Sequence, residues 1–268
     1  MGGVELKLDI FYPQISPAQK YPLVVYIHGG ELLFGSKEAV AGPTAPINGL
    51  AYTARGYAFA SINYRLGPDF RLPSMIEDVK CAIRHLRSRA TSYNINPDRI
   101  GVIGSSSGGY LAAMLGLADA NAGFEGRGGF NGVSSRVQAV VPEYPQVSFE
   151  LKAFSKAETD SRDGALPPGA SAQFLRDMSL PTYVSKTAPP FLFFHGDVDP
   201  ALSPAYSQDL HAKLVAAGVD STYVLVKGAG HGFLPASPRL PNTVYAPQPT
   251  VQEILNQELA FFDKHLKK

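Results

Sequence analysis

The sequence predicts an α/β fold, a mostly parallel central sheet with helices packed on both faces. Three observations predict it. Short, nearly continuous apolar runs recur at 23–27, 57–62, 137–141, 191–194 and 222–226, the pattern of strands buried on both sides. Segments with apolar residues at helical spacing lie between them, as in Met75, Val79, Ile83 and Leu86. The stretch 98–115 reads as strand, tight turn and helix in succession. With 268 residues, no repeats and no linker, one domain over 1–268 with a substantial core is expected.

Taken in order, residues 4–12 alternate apolar and polar like a half-exposed strand, and 23–27 and 57–62 are buried strands. Ser74 and Glu77 have capping-box spacing and should open the helix that carries Met75. On that helix Lys80, Arg84 and Arg87, followed by Arg89, read as a solvated face. The glycine-rich stretch 121–132 reads as a surface loop; no Lys-Ser or Lys-Thr follows, so it has no phosphate-loop signature.

From 142 to 190 the period is lost, five prolines fall between Pro142 and Pro181, and aromatics such as Tyr144, Phe149 and Phe174 are scattered among charges. The aromatics argue against disorder, so about 143–188 reads as a small cap insertion. Ser203 and Pro204 then open a helix that Gly218 closes. Thr250 and Glu253 repeat the capping-box spacing for the last helix, with Val251, Ile254, Leu255, Leu259 and Phe262 facing inward.

A net charge of +1 and a pI near 7.8 leave no electrostatic footprint for nucleic acid or anionic membranes. Cys81 is the single cysteine, so an internal disulfide and a thiolate-built metal site are excluded. No apolar run is long enough to span a bilayer. The first six residues lack a cationic-then-apolar signal pattern, and Leu6 breaks the myristoylation pattern. A soluble protein is expected, cytoplasmic or exported with its signal peptide removed, and a homodimer is compatible with the sequence.

The chemistry centres on Gly104-Ser105-Ser106-Ser107-Gly108. Between a strand and a helix, Gly-x-Ser-x-Gly forms a nucleophile elbow, in which Gly104 and Gly108 omit the Cβ atoms that would clash. The Ser106 hydroxyl needs a base within hydrogen-bond reach, and the base needs a carboxylate to hold its tautomer. The order such elbows require is serine, acid, histidine. Of six histidines, His85 and His211 fall in helices, His265 lies in the charged tail, and His28 and His195 precede the serine or the acid loop. His231, among small residues after a late strand, remains. The acid is Asp197 or Asp199. Backbone N–H groups of Gly29, Gly30 and Ser107 are placed to receive an oxyanion.

These segments resemble the α/β-hydrolase fold of the esterase/lipase superfamily. The likeness is greatest to the group of bacterial feruloyl and acetyl esterases and hormone-sensitive-lipase-like carboxylesterases. It is carried by His28-Gly29-Gly30, Asn63-Tyr64-Arg65-Leu66, Asp78, 96–100, 104–109, 135–141, His195-Gly196-Asp197-Val198-Asp199 and Gly230-His231-Gly232, in the family's order along nearly the whole chain. The resemblance implies the catalytic set Ser106, Asp199 and His231, Asp199 holding the last position of His-Gly-x-x-Asp. It implies a serine carboxylesterase for small-molecule esters, with no metal or organic cofactor. A preference for short to medium acyl chains is expected instead from the cap segment, too short and polar for a large lipid-binding lid yet carrying aromatics able to line a pocket. Feruloyl or acetyl esterase action on esterified carbohydrate is the alternative; a prolyl-oligopeptidase-like peptidase and an inactive binding module rank below it. Two departures, Glu31-Leu32-Leu33-Phe34 and Pro142-Glu143-Tyr144-Pro145, border the expected acyl pocket.

Overall fold

The computed structural model describes residues 4–14, 19–40, 49–150, 164–235 and 246–267. Its strands are β1 (Leu8–Phe11), β2 (Tyr21–Ile27), β3 (Ala58–Ile62), β4 (Ile95–Ser105), β5 (Ala139–Glu143), β6 (Phe191–Gly196) and β7 (Ser221–Val226). Among the described residues these seven form one sheet in the order β1-β3-β2-β4-β5-β6-β7. Only β1 runs antiparallel to its neighbour; every other pairing is parallel. The central strands β2, β3, β5 and β6 are buried almost throughout, as their apolar runs require, whereas β7 at the edge is only partly buried.

The helices are α1 (Gly49–Ala54), α2 (Ser74–Ser88), α3 (Ser107–Leu117), α4 (Ala172–Asp177), α5 (Pro204–Ala216) and α6 (Val251–Leu266). Two apolar layers flank the sheet. One joins α2, α3 and α5 through Ile76, Val79, Leu111, Met114 and Leu210; the other joins α1 and α6 through Tyr52, Phe59, Ile254 and Phe262. α3 is buried on nearly every side because it packs against the sheet and beneath Phe149 and Met178.

Register is what positions the site. Ile27 pairs with Gly104, Ser105 with Glu143, and Gly196 with Val226. Parallel strands ending in step therefore bring His28, Ser106, Tyr144 and Asp197 to one edge of the sheet, where open α/β sheets place their ligands.

Several elements differ from expectation. Thr250 and Glu253 form a complete capping box, but Ser74 and Glu77 do not. Pro73 takes the cap position, the Ser74 hydroxyl donates to the Arg71 carbonyl at 2.5 Å, and Glu77 turns toward Arg65. The basic face of α2 is only partly solvated: Arg89 is exposed and Arg87 half-buried, but Lys80 and Arg84 are buried. Lys80 is 1% exposed, and its ammonium donates to Ala118 O, Glu125 Oε1 and Ser135 Oγ at 2.7, 3.0 and 3.1 Å. Arg84 meets the other oxygen of Glu125 at 2.5 Å. Ala118 and the segment 119–136, which folds over α2, supply these acceptors, so helical spacing alone misjudged this part of the face. On α6 Val251 is exposed, and the buried stripe is Ile254, Glu258, Phe262 and Leu266, with a carboxyl in its middle.

The described parts of the expected cap, 144–150 and 164–188, contribute Phe149, Ala165, Leu166, Met178 and Leu180 to the α2–α3 core. Met178 O accepts from the Tyr110 hydroxyl at 2.7 Å, and Leu166 O from Arg71 at 2.5 Å. Residues 151–163 of that expectation lie outside the described residues.

Candidate active site

Ser106 sits between the last residue of β4 and the first of α3 with φ 56° and ψ −120°, a left-handed conformation that costs a non-glycine residue about 1–3 kcal/mol. The turn is held by Ser106 N–H donating to Glu143 O at 3.0 Å. The flanking glycines are obligatory. A Cβ on Gly104 would lie 2.3 Å from Gly108 O, and one on Gly108 would lie 2.1 Å from Ile27 O.

Across the sheet edge, the loop after β7 turns through Gly230 and presents His231. Its Nε2 lies 3.0 Å from Ser106 Oγ, and its Nδ1 lies 2.8 Å from Asp199 Oδ2. The His231 side chain is 31% exposed, the Asp199 side chain is fully buried and Ser106 is half-buried, so the line runs from a partly accessible serine to an enclosed carboxylate. The Asp199 Oδ1 atom accepts backbone N–H groups of Ala201 and Leu202 at 2.8 and 3.0 Å. Burial, the largest influence on Asp199, would raise its pKa. Hydrogen bonds from His195, His231 and Leu202 outweigh it and hold the carboxyl well below the usual carboxylate range. The carboxylate therefore stays charged beside His231.

Asp197, two residues earlier, does something different. Its Oδ1 accepts the Gly228 N–H at 2.7 Å, tying the loop after β6 to the loop after β7. The two aspartates left open by the residue pattern thus occupy distinct places, and only Asp199 touches His231.

The loop after β2 closes the other side. Gly29 packs so closely on the elbow that a Cβ would meet Ser105 O at 2.8 Å and Ser106 Cβ at 3.4 Å. Gly30 adopts φ 115°, and its carbonyl accepts Leu33 and Phe34 N–H. Leu32 N–H donates to Ser107 Oγ at 3.3 Å, and the Tyr64 hydroxyl donates to His28 O at 2.9 Å. Gly29, Gly30 and Ser107 are therefore locked around Ser106, and among the described residues no acceptor takes the Gly29 or Gly30 N–H.

Three contributors were not singled out in the sequence. His195 Nε2 lies 3.3 Å from Asp199 Oδ2, giving that carboxylate a second imidazole. Tyr144 meets the His231 ring edge-on at 4.8 Å and Phe233 at 4.9 Å, fixing one wall of the imidazole. Glu143 accepts the Ser105 hydroxyl at 2.6 Å behind the elbow. His195 carried a signal as the end of a buried strand, and Tyr144 and Glu143 lay in the segment read as a cap insertion that departs from the family pattern. Among the described residues no helix is long and apolar enough to cross a membrane.

Seven strands in this order, an elbow serine after β4 and a histidine after β7 define the α/β-hydrolase fold. Comparison with known proteins narrows this. The BD-FAE family matches residues 8–214, and the chain belongs to that family. It is 30% identical to Esterase LipC of Mycobacterium tuberculosis over 84% of the chain and 56% of LipC. The chain spans about half the length of the curated relatives it matches. A truncated carbohydrate esterase from gut microbiota superposes with a TM-score of 0.77 at 26% identity, covering 97% of this chain and 91% of the other. A propionate-bound esterase, Est2 of Thermogutta terrifontis, superposes with a TM-score of 0.73 at 25% identity, covering 96% and 89%.

Proposed function

We propose that this chain is a serine carboxylesterase that hydrolyses short- to medium-chain acyl esters through an acyl-enzyme on Ser106. The observation that carries the reading is the continuous hydrogen-bonded line from Ser106 through His231 to Asp199. Neutral His231 takes the Ser106 proton as Oγ attacks the ester carbonyl. Asp199 holds the Nδ1–H tautomer and stabilises the imidazolium. The carbonyl oxygen, now an oxyanion, accepts from the N–H groups of Gly29, Gly30 and Ser107, each donor worth about 2.7–4 kcal/mol in such sites. His231 then gives its proton to the leaving alkoxide, and the alcohol departs. Water attacks the acyl-Ser106 with His231 again as base, releasing the acid and restoring Ser106.

The acyl preference rests on reading the segment 143–188, short and polar with scattered aromatics, as a cap rather than a large lipid-binding lid. The propionate-bound relative supports a short acyl group. Action on acetylated or feruloylated carbohydrate is the second reading, favoured by the carbohydrate esterase relative.

The test is hydrolysis of a chromogenic acetyl ester by the wild type and Ser106→Ala, followed by a panel varying acyl length and including acetylated and feruloylated sugars. The expected outcome is loss of turnover in Ser106→Ala with the fold intact, and kcat/KM falling toward long-chain triglyceride. Near-wild-type turnover by Ser106→Ala contradicts the mechanism, and a preference for long-chain triglyceride contradicts the cap.

A further inference from the structure

Behind the elbow, on the side away from the substrate, two glutamates meet inside the protein. Glu143 ends β5 and is 3% exposed; Glu258 comes from the middle of α6 and is 2% exposed. Their carboxyl groups lie within hydrogen-bonding reach of each other. The Ser105 hydroxyl donates to Glu143 Oε2 at 2.6 Å, and the Tyr52 hydroxyl donates to Glu258 Oε2 at 2.7 Å. Glu258 Oε1 meets no donor.

The groups facing this pair come from every element around it: Tyr26 from β2, Ser105 from β4, Tyr52 from α1, and Tyr144 just past β5. Burial pushes all three tyrosines well above their ordinary range, so they stay neutral. Among the described residues no lysine, arginine or histidine pairs with either carboxyl. Two ionised carboxylates in contact, buried and without a cation, repel each other strongly enough that one keeps its proton. A proton on Glu258 also supplies the donor that the contact otherwise lacks.

Glu143 is tied to the elbow at two points. Its backbone carbonyl accepts the Ser106 N–H at 3.0 Å, and its side chain accepts from Ser105. Strained turns such as the one at Ser106 persist only where the surroundings over-determine them. A carboxylate on the Ser105 hydroxyl is a charge-assisted and therefore stronger tie than a neutral acceptor. We infer that Glu143 is a positioning residue for the Ser106 elbow, kept as a carboxylate on Ser105 by a proton it shares with Glu258. This rests on the reading of Ser106 as the nucleophile. Burial raises the proton affinity of both groups, and the Glu143 charge raises that of Glu258 further.

The test uses the full chain as wild type, Glu143→Gln, Glu258→Gln, Ser105→Ala and the Ser105→Ala/Glu143→Gln double variant. Infrared spectra near neutral pH should show the carbonyl stretch of a protonated carboxylic acid in the wild type and lose it in Glu258→Gln. With a chromogenic acetyl ester, Glu143→Gln should lower kcat about tenfold with little change in KM. Glu258→Gln, whose amide can donate to Glu143 permanently, should lose less. Ser105→Ala should lower kcat by itself and add nothing on top of Glu143→Gln, because both break the same tie. Should Glu143→Gln fail to fold, Ser105→Ala and the spectra still decide. Absence of the protonated-acid band in the wild type, its survival in Glu258→Gln, wild-type kcat in Ser105→Ala, or additive losses in the double variant would overturn the inference. Failure of the esterase reading looks different: Ser106→Ala, run alongside, would then turn over like the wild type while the infrared result stood unaffected.

Discussion

Asp199 and Glu143 are both buried carboxyl residues within one side chain of Ser106 or His231, yet their surroundings push them in opposite directions. Asp199 has two imidazoles and two backbone N–H groups around it, and its pKa is lowered despite burial. Glu143 has one serine hydroxyl and another carboxyl, and its pKa is raised by burial. The difference teaches that burial alone does not set the charge of a group; the count of donors and cations facing it does. One carboxylate is kept charged where, in the proposed mechanism, His231 takes up a proton. The other shares a proton where only the backbone of the turn has to be held.

The largest expected effect breaks the first half of this comparison. Asp199→Asn keeps the shape but loses the charge beside His231, and should lower kcat by roughly 10⁴, the loss known for the equivalent change in a serine protease. Asp197→Asn, which only loosens the tie to Gly228, should cost about 1 kcal/mol of stability with a modest kinetic change. Steady-state kinetics and thermal melts on the pair check both.

A smaller effect concerns buried charge that is fully paired. Glu125→Ala would strand Lys80 and Arg84 beneath the 119–136 segment. Removing one partner of a buried pair costs about 3–5 kcal/mol, and the partial exposure of Glu125 places this case at the low end, read as a lowered denaturation midpoint. The subtlest effect is on the pH dependence of stability. Asp199, depressed in the fold, contributes stability that is present above the ordinary aspartate range and lost as pH falls through its lowered value. The glutamate pair acts the other way. The folded chain holds more protons there than the unfolded chain, so stability declines as pH rises above the ordinary glutamate range. Glu258→Gln should flatten that decline without touching the acid limb, measured as melting temperature against pH.

Much of this was legible in the sequence because the relevant signals are local. The buried strand runs, the Thr250–Glu253 cap and the glycines around Ser106 each follow from a few adjacent residues, and the sheet order brings their ends together. What was not legible depends on contacts between distant segments. Lys80 and Arg84 look solvated until Glu125 folds over them from more than 40 residues away. Glu258 looks like an outward helix residue, because an apolar stripe interrupted by a carboxyl has no periodicity of its own. Its partners, Tyr52 and Glu143, arrive from α1 and β5. The residue pattern left Asp197 and Asp199 open, and the distinction between them lies in which of two loops each side chain ties.

The most direct measurement is stoichiometric labelling with a chromogenic active-site phosphonate, followed by peptide mapping. The expected result is a burst of one leaving group per chain and one modified residue, Ser106, with labelling abolished in Ser106→Ala and strongly slowed in Asp199→Asn but not in Asp197→Asn. A label at another residue, or a burst that persists in Ser106→Ala, would contradict the assignment of Ser106, His231 and Asp199 as the catalytic line.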